Sequence, residues 1–467
     1  MTLPPRADKA PSTEADDNET PDVAITAATG EAQPAPEVRP TVEAQARAEA
    51  QPAHEVRPHG VARPSAGRLL LFGALTAIGP LTIDMYLAAF PAVTEDLGTT
   101  EAVVQLTLTA TLAGLALGQL LLGSISDALG RRNPLIVALS IYVLASVVVA
   151  LSDTIALLFA MRFLQGLTAA AGMVLSQAMV RDLYSGSILA RLISRLMLIV
   201  GVAPVLAPTI GAQFLLFGTW RTMFFGLGLF GLALVVLALI FVKDTLPVER
   251  RVKGGIGAAL RSYGVLIRSR RYIGLVLTGS VAMGALFTYI SSATFIFQGL
   301  YGMSAQVYAL LFAAGALMLT AGSQLNGFLV GRVHPARIMR VALIGGTGAG
   351  ALLLASALLD LGVTGVVCGI LLVLFSLGFV MPNNPVIALH EHGNRAGAAA
   401  AFLGASQFLV GSIIAPVSGL FGASSAVPMA AIMAACLLVA TVVYHLMARP
   451  SEIVRDIPWG GEAEKVA

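Results

Sequence analysis

The sequence predicts an all-α polytopic membrane protein, with twelve transmembrane helices in two pseudo-symmetric six-helix bundles. Three observations predict it. Twelve apolar runs of bilayer-spanning length follow one another between about residues 69 and 447. The Arg and Lys residues after position 67 fall almost wholly in alternate gaps between those runs. The longest and most basic gap, about 243–271, divides the runs six and six, as expected of a chain built from two repeats.

Composition bounds the class. The chain is 57% hydrophobic and only 12% charged over 467 residues, more apolar surface than a water-soluble protein of that length can hide. Backbone groups in lipid must bond within their own segment, so the runs are helices. A barrel would show short alternating strands, and none are visible. The net charge of +3 hides an asymmetry: residues 1–66 hold six bases and eleven acids, so the rest of the chain is +8. That balance suits an anionic cytoplasmic leaflet and not nucleic acid. The excess of Arg over Lys, with abundant Ala and Gly, fits a GC-rich bacterial genome; the expected location is the bacterial cell (inner) membrane. Cys368 and Cys436 both lie inside apolar runs and read as small apolar filler, not as a disulfide or metal ligands.

Residues 1–67 are expected to be a disordered cytoplasmic tail, rich in Pro, Ala, Glu and Asp and poor in large apolar residues. It carries a short duplication, Glu31 to Pro40 recurring as Glu49 to Pro58, and lacks the basic start and apolar core of a signal peptide. The runs then lie at about 69–91, 103–122, 134–151, 156–179, 189–214 and 222–242, and at about 272–298, 305–330, 338–359, 363–389, 396–421 and 426–447. They group into an N-terminal bundle, 68–242, a basic cytoplasmic linker, 243–271, a C-terminal bundle, 272–448, and a cytoplasmic tail, 449–467.

The first gap carries Glu95, Asp96 and Glu101 and no base, and the third has Asp153 alone. The second carries Arg131 and Arg132, the fourth Arg181, the eighth Arg332, Arg337 and Arg340, and the tenth Arg395. Arg221 is the exception in the odd series. Positive charge stays inside, which makes both termini cytoplasmic. Weak echoes between the halves support duplication: Gly123 to Arg132 is matched by Gly327 to Arg332, and Gly201, Pro204, Pro208 and Gly211 by Gly411, Pro416 and Gly419. Within helices the glycines allow close approach, and together with the prolines they either serve packing alone or weaken the helix where it bends. Met381-Pro382-Asn383-Asn384-Pro385 is expected to break the tenth run, as a kink or as a polar break lining a cavity.

Two ionised residues lie well inside runs, Asp84 in the first and Arg162 in the fourth. Such charges cost several kcal/mol, roughly, and mark function by default. Asp84 is 16 residues beyond Arg68, roughly 24 Å. Arg162 is 7 residues beyond Ile155, roughly 10 Å from the opposite starting face. The two therefore sit at similar height in the outer half. Asp84 either exchanges a proton or substrate or forms a static pair with Arg162. Arg162, which does not lose its charge, can stabilise Asp84, hold water, join a network with Gln165, or bond backbone carbonyls. In the second gap, Gly123, Asp127, Gly130, Arg131 and Arg132 form a tight polar turn, either a latch between helices or a topology signal alone.

At these residues the chain resembles the major facilitator superfamily. Gly123 to Arg132 is similar to its loop between helices two and three, Arg162-Phe-Leu-Gln165-Gly166 to its helix-four motif, and Gly201 to Ala212 to the helix-five exporter motif. Ala207 and Ala212 stand where that last pattern often has glycine. Ile83 to Pro91, and Ser323-Gln324-Leu325-Asn326, resemble the Bcr/CflA drug-resistance branch. The resemblance covers about residues 68–447. It implies a proton-driven antiporter that expels amphipathic drugs such as phenicols, bicyclomycin-like compounds or dyes. In it Asp84 is the proton and cation carboxylate, Arg162 its helix-four partner, and Asp127, Arg131 and Arg132 the cytoplasmic latch. The eighth gap has Gly331 where the acid would stand, so no symmetrical latch is expected. Met85, Tyr86, Gln165, Phe287, Tyr289 and Gln407 are the candidate substrate-cavity residues, and equally candidates for helix packing.

The expected partners are a small amphipathic substrate and the lipid bilayer, with no nucleic acid, no metal, and no cofactor beyond protons as coupling ion; the chain is expected to act as a monomer. The rival reading within transport is export or uptake of a native small metabolite. An intramembrane enzyme is disfavoured, because no mid-run His, Ser–His pair or metal cluster occurs. A sensor is disfavoured because the tail carries no folded signalling domain.

Overall fold

Apolar runs bounded by Ser, Thr, Pro and Gly fold as helices from end to end. The structure, a computed structural model, describes residues 66–456 apart from 252–254, 391, 393, 394 and 423. The N-terminal duplication, Lys253 and the last eleven residues lie outside the described residues. The first half comprises α1 (Ala66–Leu87), a short α2 (Phe90–Asp96), α3 (Glu101–Leu129), α4 (Arg132–Ala150), α5 (Ile155–Leu183), α6 (Gly186–Phe217) and α7 (Trp220–Phe241). A connecting α8 (Gly255–Ile267) leads to α9 (Arg270–Thr294), α10 (Ala305–Val330), α11 (Pro335–Leu358), α12 (Gly362–His390), α13 (Ala396–Ile414), α14 (Val427–Val443) and a terminal α15 (Pro450–Asp456). Ser269, Ser304 and Thr154 cap α9, α10 and α5 by accepting from backbone N–H groups at 3.3–3.4 Å.

Eleven helices among the described residues are long and apolar enough to cross a membrane, and α6 supplies a shorter apolar stretch, Val205–Phe217. Packing repeats between the halves. α3 lies against α5 as α10 lies against α12, α4 against α7 as α11 against α14, and α1 against α6 as α9 against α13. The two most extensive helix contacts between the halves, α3 with α13 and α10 with α6, map onto each other under the same exchange. This is the twelve-helix arrangement the duplicated sequence predicts.

Two boundaries depart from expectation. The first run does not continue to residue 91: α1 ends at Leu87. Pro91 has no N–H to return to the carbonyl four residues back, and α2 starts around that proline. The tenth run is not broken. α12 passes through Pro382 and Pro385 as one helix, and Asn383 Nδ2 donates to Asn326 Oδ1 at 2.6 Å and to Phe379 O at 2.9 Å, which ties the proline-bearing turn to α10.

Candidate functional site

Asp84 is the one buried carboxylate among the described residues. It sits one turn before the end of α1, with Met85 and Tyr86 also buried beside it. Gly211 brings the α6 backbone against this turn, since a Cβ there would collide with the Met85 carbonyl. Pro208 is buried in the same helix. Gly201 and Pro204 also belong to α6, though their side chains fall outside the described set.

Arg162 is fully buried but does not pair with Asp84. Its Nη1 donates to the Thr82 carbonyl at 3.1 Å and to Gln165 Oε1 at 2.7 Å. Its guanidinium lies over the Tyr86 ring at 4.6 Å and the Phe224 ring at 5.4 Å. Gln165 Nε2 donates to Ser146 Oγ at 2.8 Å, and Tyr142 Oη lies 2.8 Å from Thr82 Oγ1. Thr82 and Tyr86 are four residues apart and share one face of α1. Asp84, two residues from each, points about 200° away at 100° per residue. Of the roles the sequence leaves open for Arg162, the Gln165 network and a backbone-carbonyl bond are the ones that form; helix rotation separates it from Asp84, and the static pair is not made among the described residues. Gln165 and Tyr86, expected to line the cavity, are engaged inside the first half; Tyr86 Oη lies 3.0 Å from Thr107 Oγ1.

Asp84 instead faces the second half. Among the described residues it accepts no hydrogen bond, and it lies within Coulombic range of Tyr289 and Tyr308. Tyr289 stacks on Phe312 with ring centroids 5.3 Å apart. Tyr308 Oη is 3.0 Å from Thr294 Oγ1, which donates to the Leu87 carbonyl at 3.1 Å. That carbonyl is the one Pro91 leaves free, so a sequence-encoded helix break supplies the acceptor for a bond between halves. Phe90 and Phe295 meet beside it at 5.5 Å. Phe287 packs on Phe408 at 5.7 Å and against Gly411, a packing role. Gln407 and Asn384 both converge on Gly279, where a Cβ would collide with the Asn384 amide. Asn384 is fully buried, and neither its Oδ1 nor its Nδ2 has a partner in the protein.

The predicted polar turn forms a closed cluster. Gly130 adopts φ +91°, and a Cβ there would collide with the Asp244 carboxylate. Arg131 pairs with Asp127 at 2.6 Å and Asp182 at 2.9 Å, donates to Ser126 Oγ at 2.7 Å, and its backbone N–H bonds Asp244 at 2.9 Å. Burial works against the Arg131 charge, but the bonds and charges of Asp182 and Asp127 outweigh it and hold its pKa above the usual value. Arg251 reaches Asp244 at 2.8 Å. Arg132 stands apart, bonding only the Leu239 carbonyl at 3.0 Å. Gly123 lies one helical turn before Asp127, in ordinary contact with Val174. Sequence reasoning missed Asp182 and Asp244, both of which sit at helix ends where acids read as surface. Nearby, Tyr263 of α8 donates to the Leu120 carbonyl at 3.3 Å and packs on Phe402 at 5.8 Å, so the connecting helix touches both halves.

At the opposite, acidic end, the exceptional Arg221 is neutralised. It bonds Asp96 and pairs with Asp153 at 3.2 Å, and its guanidinium lies over Trp220 at 4.4 Å. Trp220 Nε1 also donates to Asp96 at 3.1 Å. The Arg221 hydrogen bond holds the Asp96 carboxyl below the usual range, against a small burial effect.

Comparison with known proteins agrees with this architecture. Residues 72–416 match the model of the Major Facilitator Superfamily. The chain is 41% identical over 365 residues to the uncharacterized MFS-type transporter YdgK of Bacillus subtilis, covering 78% of this chain and 90% of that one. It is 29% identical over 386 residues to a bicyclomycin resistance protein homolog of Haemophilus influenzae, covering 81% and 95%. It is 28% identical over 378 residues to the multidrug resistance protein MdtL of Escherichia coli, covering 80% and 94%. In fold it matches a bacterial homolog of the human lysosomal transporter Spinster, with TM-score 0.64, 16% identity, and coverage of 82% and 96%. It also matches the nucleoside transporter NupG, with TM-score 0.65, 12% identity, and coverage of 82% and 98%. With its repeated helix packing, its buried carboxylate and its polar turn, this chain belongs to the major facilitator superfamily and is a multi-pass membrane transporter.

Proposed function

We propose that the protein exports amphipathic drugs, of bicyclomycin-like, phenicol-like or dye-like chemistry, in exchange for protons. It acts as a monomer in the bacterial inner membrane with its basic face and both termini cytoplasmic. The names of the relatives from Haemophilus influenzae and Escherichia coli support drug export. The observation that carries proton coupling is Asp84: a buried carboxylate turned toward the second half, with no ion pair among the described residues.

The geometry suits a switch between halves. Thr294 with Leu87, and Phe90 with Phe295, tie the halves together at the acidic end. Opening that side requires these contacts to part, which exposes the Asp84 turn to protons from outside. A protonated Asp84 no longer attracts a cationic or polar drug, so the drug leaves outward. Closure and opening toward the basic face then release the proton inward. One proton moving down 100 mV supplies about 2.3 kcal/mol. Arg162 stays charged throughout and fixes the other face of α1.

The test is dye and drug efflux in proteoliposomes under an imposed pH gradient. Asp84→Asn should abolish gradient-driven export while leaving the protein folded. Undiminished export by that variant would overturn the reading.

A further inference from the structure

We propose a phospholipid site on the outer surface of the second half, in the groove between α11 and α12, that takes an acyl chain and holds an anionic headgroup with Arg337. The groove encloses about 590 Å³ and is lined almost wholly by apolar side chains. Its floor is one stripe of α11: Arg337, Val341, Gly345, Gly348 and Leu352 follow at spacings of four, four, three and four, so they share a face. Its wall on α12 includes Leu372 and Phe375. From Arg337 to Leu352 the floor runs roughly 22 Å, longer than the ~15 Å depth of one leaflet's hydrocarbon. A Cβ at Gly345 or Gly348 would meet nothing within 4 Å. These glycines therefore do not serve helix packing, the usual reason for glycine in a membrane helix; they hollow out the surface.

The headgroup assignment rests on charge. Arg337 is exposed at the basic end of the groove, and its guanidinium makes no hydrogen bond or ion pair among the described residues. Arg332 lies close by in sequence, its guanidinium 4.3 Å over the Phe328 ring. No acidic residue occurs between Glu249 and Asp360, and Glu452 of α15, which packs against α11, is engaged by Arg271 and Arg449. A cation at interfacial depth above an apolar slot matches an anionic glycerophospholipid, phosphate outward and chain inward.

The experiment extracts the full-length protein from vesicles of equal parts phosphatidylglycerol and phosphatidylethanolamine and counts retained lipid by native mass spectrometry. The wild type should retain phosphatidylglycerol in preference. Arg337→Gln should lower that preference about five-fold, the worth of one basic residue near an anionic surface, while still retaining some lipid. Gly345→Leu/Gly348→Leu, which fills the floor from positions where a Cβ meets nothing within 4 Å, should lose the retained lipid of both kinds. Gly345→Ala/Gly348→Ala gives an intermediate loss and serves if the leucine pair fails to fold. Equal retention by wild type and all variants would overturn the site. So would a wild-type mass of two protein copies that the leucine pair reduces to one, which would assign the groove to a second copy of the chain.

Discussion

Arg162 and Asp84, the two ionisable residues buried well inside membrane-spanning helices, address opposite faces of α1: Arg162 bonds Thr82 and stacks on Tyr86, while Asp84 between them turns to the other half. This separates a structural cation from a titrating acid. The two roles should come apart under mutation.

Asp84→Asn removes no partner, so thermal stability in detergent should be unchanged while pH-driven export is lost. Arg162→Lys keeps the charge but forfeits the planar fork. It should lose one or two charge-assisted bonds of about 1.5–3 kcal/mol each and lower the unfolding temperature. The double variant should be additive within about 0.5 kcal/mol, as for residues that share no contact. A melting temperature that falls equally in both single variants would contradict the separation.

At the basic face, Gly130 and Arg131 are expected to be sensitive and Arg132 tolerant. Gly130→Ala forces a side chain into a positive φ and into Asp244; backbone strain of this kind costs about 1–3 kcal/mol. Arg131→Ala leaves Asp127 and Asp182 without their cation; Asp127 is 44% exposed and screened by solvent, so the loss should be about 1–3 kcal/mol, below that of a buried pair. Arg132→Ala removes one exposed contact and should stay within about 0.5 kcal/mol. Melting curves and initial efflux rates of the three variants would check the order; an Arg132 effect as large as that of Arg131 would refute it.

Much of this was legible in the sequence, for physical reasons that also mark where legibility stops. A charge inside an apolar run stands out, so Asp84 and Arg162 were visible. Their partners were not, because a two-residue offset becomes opposite faces only once the helix is rotated against its neighbours. Asp182 and Asp244 lie at helix ends, where an acid carries no signal of burial. Asn384 was noticed as part of a presumed break, yet the helix continues, and its isolation follows from packing against Gly279. Pro91 was legible as a helix stop only in hindsight of the carbonyl it frees. The membrane class, the repeat and the polar turn survive because hydrophobic run length and basic spacing are one-dimensional properties.

The acidic-end cluster gives a pH prediction with a definite sign. Arg221 lowers the Asp96 pKa below its ordinary 3.8, so the pair contributes stability above that pH. The contribution fades as pH falls through the lowered folded value, when the carboxyl protonates. Asp96 is 44% exposed, which limits the effect to about 1 kcal/mol or less. The stability difference between wild type and Arg221→Gln should be constant from neutral pH down to about pH 4 and shrink below it. A difference that grows on acidification would reverse the assignment.

Asn384 offers a trade between stability and recognition. Its amide is buried with both polar atoms unpartnered by protein, a state that costs about 1–3 kcal/mol. A helix does not retain such a group for packing, since Leu fills a similar volume without the penalty. Asn384→Leu should therefore raise the unfolding temperature. If the amide bonds substrate when the halves move, the same variant should weaken transport of hydrogen-bonding drugs, by about 2–12-fold for one lost hydrogen bond of about 0.5–1.5 kcal/mol, and spare wholly apolar dyes. Gln407→Leu, on the same side of Gly279 but only partly buried, should change stability less and selectivity in the same direction. Parallel melting and efflux measurements on a polar drug and an apolar dye decide it: a destabilised Asn384→Leu protein with unaltered selectivity would assign the residue to packing alone.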